Sequence, residues 1–196
     1  MPKKVDHQQR RAEIADTTWR LIAERGIDAT TMRAITDALG MANGALKHYF
    51  PDKNALVKTA FVRVFDNTNT RIQQRLAGLT GLAALRVFCQ EVMPAEDVTE
   101  LEARVVLPFW QRALADAQLE EVWAEAMAQW RQQLRRILAE GREEGTIRTP
   151  VADDALVEQL LAMLNGAQVL AVLGPDETTR ETQQAMIESY LDNLGR

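Results

Sequence analysis

Between Gly40 and Lys53 the chain reads GMANGALKHYFPDK, and the cluster Lys47-His48-Tyr49-Phe50 inside it gathers groups suited to a large polyanion. An ammonium attracts phosphate as a point charge, while an imidazole and a phenol can donate hydrogen bonds to phosphate oxygens. The carboxamide of Asn43 can pair with the edge of an adenine. Thr31, Arg33 and Lys53 flank the stretch and are further candidates for phosphate or sugar contacts that fix a docking angle. The same residues also suit a plain corner between helices, its polar groups facing water. Other chemistry is absent from the pattern. His7 and His48 are the only histidines and stand in no metal-ligand spacing such as HExxH. Cys89, the single cysteine, excludes an internal disulfide framework and a cysteine-based zinc site. No coherent nucleophile–base pair or phosphate-cradling loop occurs, so neither an enzyme nor a cofactor is expected.

Helices must position that stretch. Apolar residues recur at helical spacing from about Gln9 to Arg25, with Ile14, Thr18 and Leu21 beside Ala15, Trp19 and Ile22. Gly26 suits the end of that helix, because glycine readily takes the left-handed conformation of a C-cap. Thr30 or Thr31 can cap a second helix carrying Met32, Ile35 and Leu39, which Gly40 stops. A very short third helix is predicted over Ala42–His48, anchored by Leu46. Pro51 breaks the pattern, and Asp52 can cap a helix running from Lys53 to about Leu76. Further helices are predicted near 80–93, 98–115, 118–143, 153–173 and 177–194, with Pro108 inside one of them as an expected kink. The fold class is all-α.

Charge is distributed unevenly. Residues 1–60 hold ten Lys and Arg against seven Asp and Glu, a balance of +3, and the remaining 136 residues balance at −8, together the formal −5. An acidic chain can bind nucleic acid when its cations are gathered on one small face. With 46% of its residues hydrophobic, the chain can bury a substantial core. The longest apolar segment, Leu160 to Leu173, is interrupted by Asn165, Gly166 and Gln168 and is expected to be too short and polar to span a bilayer. The basic N-terminus MPKKVDHQQRR has no apolar run behind it and does not resemble a secretory signal. A cytoplasmic location without a membrane partner is the expectation.

The segment ERGIDATTMRAITDALGMANGALKHYFPDKNALVKTAF resembles the N-terminal domain of the TetR family of bacterial transcriptional repressors. Gly26, Thr30-Thr31, Ile35, Gly40, Gly44, Leu46, Tyr49-Phe50, Lys53 and Leu56 match that pattern in order and spacing. The resemblance implies a helix-turn-helix DNA-binding domain over residues 1–52 and a larger helical effector-binding and dimerisation domain over 53–196. It implies a homodimer on a palindromic double-stranded DNA operator, with Thr31, Tyr49 and Lys53 at backbone contacts. Repression relieved or modulated by a small molecule is the function it implies. A transcriptional activator, or a helical interaction protein that does not bind DNA, is the alternative. Ala42, Ala45 and Lys47 depart from the serine, threonine and tyrosine frequent at those family positions.

LPFWQRAL, WRQQLRRILAEGREEGTI and the final helix pair resemble the BetI-like branch. Phe109, Trp110, Trp123, Met127 and Trp130 could line an effector cavity, and an aromatic cage there would suit a cationic or hydrophobic ligand beside Glu91 or Glu102. Large residues at helical spacing equally suit a core. Asn165 and Gln168 could orient a ligand, and Cys89, which reads as a small buried residue, is a further candidate for the pocket lining. Leu156, Leu160, Leu164, Leu170, Met186, Ile187, Tyr190, Leu191 and Leu194 make apolar surfaces on the last two helices, suited to a protomer core or to an interface between two copies.

Overall fold

The computed structural model describes residues 2–42, 44–174 and 176–196, with side chains from residue 7 onward. Among the described residues the chain forms eight α-helices and one 3₁₀ turn. In order they are α1 (Pro2–Arg25), α2 (Met32–Leu39), the turn Ala45–His48, α3 (Lys53–Leu76), α4 (Gly81–Val92), α5 (Asp97–Ala113), α6 (Ala117–Glu143), α7 (Asp153–Leu173) and α8 (Arg180–Leu194). The all-α class and most boundaries agree with the sequence patterns. Three places differ.

α1 begins at Pro2, seven residues before its apolar periodicity does. Apolar spacing marks the buried length of a helix. Here a run of Lys, Gln and Arg, all good helix formers, carries the helix further, and proline is tolerated at a first helical position. The predicted third helix over Ala42–His48 is a four-residue 3₁₀ turn, Ala45–His48. Gly44 precedes it without a side-chain cap, and the amides of Ala45 and Tyr49 bond three residues back, to Ala42 and Leu46, at 2.9 Å. With no capping side chain and Pro51 close behind, there is too little chain to repay helix nucleation. α8 starts at Arg180 rather than near 177, because the Thr179 hydroxyl accepts the Thr182 amide at 3.3 Å and fixes the start there.

The chain divides into two compact units, each built from two stretches. The first holds the residues up to Asp66 together with Arg104–Glu120. Its core comprises Ile14, Leu21, Ile35, Leu46, Phe50 and Leu56, with Met32, Leu39, Met41, Tyr49 and Ala55 packed around it. Phe61 and Phe109 stack in the same unit, ring centroids 3.9 Å apart. The second unit holds Asn67–Ala103 and Glu121–Arg196. α4 packs on α8 within it, and the Arg148 and Thr149 amides both donate to the Leu194 carbonyl. Gly81 and Gly141 approach so closely that a Cβ on Gly141 would lie 2.6 Å from Ile147 Cδ1 and 3.0 Å from Gly81 Cα.

Candidate nucleic-acid interface

The geometry around GMANGALKHYFPDK starts from two caps. Thr31 Oγ1 accepts the Ala34 amide at 3.1 Å and opens α2. Gly40, at φ +62°, closes it in the left-handed region. That backbone turn sends the chain out of α2 and into the 3₁₀ turn with only five residues between. Asp52 Oδ1 then accepts the Ala55 amide at 2.8 Å and starts α3. α2 and the following turn are thus a tight helix–corner–turn whose angle is set by Gly40 and whose exit is set by Pro51-Asp52.

Burial then divides the side chains. Leu46 and Phe50 are fully buried, while Lys47 and His48 between them are exposed. Burying a leucine or phenylalanine contributes about 1.5–3 kcal/mol, so these two hold the turn down and leave its cationic side outward. Lys47 has no ion pair among the described residues. Thr31 and Arg33 are also exposed, and Arg33 lies 3.7 Å from Asp37. Lys53 reaches the well-exposed Asp28 at 3.5 Å, an exposed pair that a phosphate could replace at little cost. Tyr49 is half-buried, its ring 4.7 Å from that of His7 on α1. The expected base reader, Asn43, lies outside the described residues. Unit one also holds a polar link that no sequence pattern signals. Arg112 donates to Asn54 at 2.9 Å, Asn54 donates to Asp116 at 2.8 Å, and Asp116 caps α6 through the Gln118 and Leu119 amides.

The expected effector residues fall in both units, and each is described within its own. In unit one, Phe109 is stacked on Phe61 and fully buried, and Trp110 is half-buried. In unit two, Trp130 is buried, donates through Nε1 to Asn69 at 2.9 Å and meets Phe88 edge-on. Met127 is buried, Trp123 and Asn165 are half-buried, and Gln168 is buried with no hydrogen-bond partner for its Oε1 among the described residues. Cys89 is fully buried, and burial pushes its thiol far above the usual range. Glu91 and Glu102 are buried, but not as spare anions. Arg71 donates from Nε to Glu91 at 2.8 Å and from its two terminal nitrogens to Glu102 at 2.8 and 2.7 Å. Arg75 completes Glu91, and the Thr68 hydroxyl donates to Glu102 at 3.2 Å. Burial by itself would lower the Arg71 pKa; the two carboxylates outweigh it and hold the guanidinium above its ordinary value. Nothing local in the sequence signals this cluster, since the two carboxylates lie 20 and 31 residues from Arg71. A separate depression of about 320 Å³ in unit two is lined by Arg75, Gln90, Met93, Glu96, Gln184 and Glu188, among others, and none of the expected effector residues borders it.

On the last two helices, Leu156, Leu160, Leu164, Ile187, Leu191 and Leu194 are buried within the protomer. Tyr190 is half-buried and donates to Gln159 at 2.9 Å, while Leu170 and Met186 are exposed, as is Leu173. By length and composition α7 is apolar enough to cross a membrane, but its Leu156, Val157, Leu160, Leu161 and Leu164 are packed inside the unit.

A capped helix, a left-handed glycine corner and a turn presenting cations, followed by a larger set of helices, define a helix-turn-helix regulator. Residues 14–60 match the bacterial regulatory proteins of the tetR family, and residues 81–196 match the C-terminal region of BetI-type transcriptional repressors. The HTH-type transcriptional regulator PksA of Bacillus subtilis is 26% identical over 99% of this chain and 94% of its own. The regulator BetI of Burkholderia ambifaria is 29% identical over 62% of this chain and 64% of its own. In structure, a transcriptional regulator from Saccharomonospora viridis in complex with choline matches with a TM-score of 0.86 at 21% identity, over 94% of this chain and 96% of that one. The chain belongs to the TetR family of bacterial transcriptional regulators, whose members bind DNA.

Proposed function

We propose that the protein is a homodimeric, ligand-responsive repressor that binds a palindromic operator and is released or modulated by a small molecule. In this reading residues 1–52 touch DNA, and residues 53–196 bind the effector and dimerise. Asn43 reads a base, and Thr31, Arg33, Lys47, His48, Tyr49 and Lys53 contact the phosphate backbone. The observation that carries the reading is the turn itself, with Leu46 and Phe50 buried and Lys47 and His48 exposed between them. A second copy supplies the second half-site reader that a symmetric operator requires. Exposed Leu170, Leu173 and Met186 on α7 and α8 support dimerisation through that pair. Selecting bound sequences from a random duplex library tests the reading. Enrichment of an inverted repeat is expected, and a folded protein that enriches nothing rejects it.

The BetI-type match over residues 81–196 and the choline complex of the Saccharomonospora viridis regulator favour a cationic effector of the choline type. Within unit two, Trp123, Met127, Trp130, Asn165 and Gln168 are the residues proposed to meet it. Glu91 and Glu102 would contribute only if the ligand's positive charge competes with Arg71 for them. Effector binding changes operator affinity only through unequal affinity for DNA-competent and incompetent states. α3, one continuous helix from the turn's exit at Lys53 to Leu76, is the element proposed to carry that bias. Operator Kd with and without saturating choline tests it, and an unchanged Kd removes choline as effector.

A further inference from the structure

We propose that His7, outside the helix-turn-helix, is a positioning residue for DNA binding that acts through Tyr49. The inference rests on the proposal that Tyr49 contacts DNA and adds a residue of α1 to that surface. The turn that carries Tyr49 cannot orient it alone. A 3₁₀ turn of four residues has few bonds and poor geometry, and Tyr49 is held there by its amide to the Leu46 carbonyl at 2.9 Å. Its half-buried side chain packs on the core cluster along one side and leaves its ring open to a second neighbour.

α1 supplies that neighbour. The His7 ring lies 4.7 Å from the Tyr49 ring, tilted by 38°. One helical turn later the Arg11 guanidinium sits 5.0 Å above the Phe50 ring. His7 and Arg11 are four residues apart and share one face of α1, so a single stripe grips two consecutive residues of the corner. Both are exposed and belong to no apolar core. The first buried residue of α1 after His7 is Ile14, seven residues on, so core burial gives no reason for the helix to extend there. Contact with Tyr49-Phe50 gives one. An aromatic neighbour of this kind contributes enough to hold a tyrosine in one rotamer, equivalent to roughly a two- to tenfold change in binding if that rotamer is the one that docks.

The test uses the full-length protein and a duplex selected by the wild type from a random library, with binding followed by fluorescence anisotropy. His7→Ala is expected to bind about three- to tenfold more weakly. His7→Phe, which keeps the ring and removes the imidazole donors, is expected to return to within about twofold of wild type. In a Tyr49→Ala background, His7→Ala is expected to add no further loss. Equal binding by wild type and His7→Ala overturns the proposal. So does a His7→Phe variant as weak as His7→Ala, or a loss that persists without Tyr49, since either makes the imidazole a direct DNA contact. If the wild type enriches no duplex, the DNA-reading assignment itself fails, and the role of His7 with it.

Discussion

Replacing Arg71 with methionine is the perturbation whose size the structure fixes best. The substitution keeps most of the aliphatic stem and removes the guanidinium that joins Glu91 to Glu102. The two acids are affected unequally. Glu91 keeps Arg75, but Glu102 is left with the Thr68 hydroxyl at 3.2 Å, and their side chains are only 8% and 7% exposed. Removing one partner of a buried ion pair typically costs about 3–5 kcal/mol, because the remaining charge stays out of water unneutralised. Arg71 is itself 26% exposed and Glu91 retains a cation, so the lower end, about 3 kcal/mol, is expected. For a chain of this length that corresponds to a fall in Tm of roughly 6–12 °C. Thermal and urea unfolding followed by circular dichroism measure both. Adding Glu102→Gln to the Arg71→Met variant removes the stranded charge and is expected to restore at least half of the loss. A loss below about 1 kcal/mol, or a double variant no more stable than Arg71→Met, would refute the reasoning. Either result would mean that water or a rearranged side chain already satisfies Glu102. The outcome also bears on the effector. If Arg71 is this firmly committed, a cationic ligand gains little from these acids, and binding must come from aromatic contact.

Four further outcomes follow from single residues. Lys47→Ala should weaken binding to selected and random duplexes alike and lower the salt slope by about 1 for each phosphate that Lys47 neutralises, as titration from low to high salt will show. Gly141→Ala should destabilise by about 1–3 kcal/mol, because the new methyl would meet Ile147 at 2.6 Å. Gly166→Ala, inside α7 with nothing within 4 Å of the added carbon, should leave stability unchanged or raise it by up to about 1 kcal/mol, and paired melting curves separate the two signs. Cys89, fully buried with its thiol pKa raised by burial, should react with a thiol-specific reagent only as fast as the protein opens, so its labelling rate should track denaturant concentration.

The sequence disclosed what depends on local pattern. Apolar spacing and caps placed α2, α3 and α7 to within a residue or two, because Thr31, Gly40 and Asp52 do in the fold what their side chains and backbones favour in isolation. The exposure of Lys47 and the burial of Leu46 were readable for the same reason. What stayed hidden was set by partners distant in sequence. Asn54 carries no sign that it bridges Arg112 and Asp116, 58 and 62 residues away. Glu91 and Glu102 looked like anions awaiting a ligand because nothing local indicates that Arg71 reaches both. His7 looked like part of a basic tail. It became part of the corner only because α1 extends past the point where its apolar residues stop.

The same ion pairs explain how a chain of net charge −5 can offer DNA a positive surface. In the second unit Arg71, Arg75, Arg86, Arg131, Arg135, Arg142 and Arg180 each lie against a carboxylate of that unit. Their charges are neutralised where they stand, and the surplus of acid over residues 61–196 remains as a negative field. In the first unit, Arg25, Lys47 and Lys58 are exposed without an ion pair among the described residues, and the pairs of Arg33 and Lys53 are exposed and long. Exposed, long pairs are readily exchanged for phosphate, whereas the buried Arg71 cluster is not. In the proposed reading, a polyanion is attracted to the unpaired cations of the first unit and repelled by the acid surplus of the second. In that reading, orientation on the duplex begins with this division before any base is read. Neutralising acids in the second unit would raise affinity for DNA of any sequence while eroding the preference for docking through the turn.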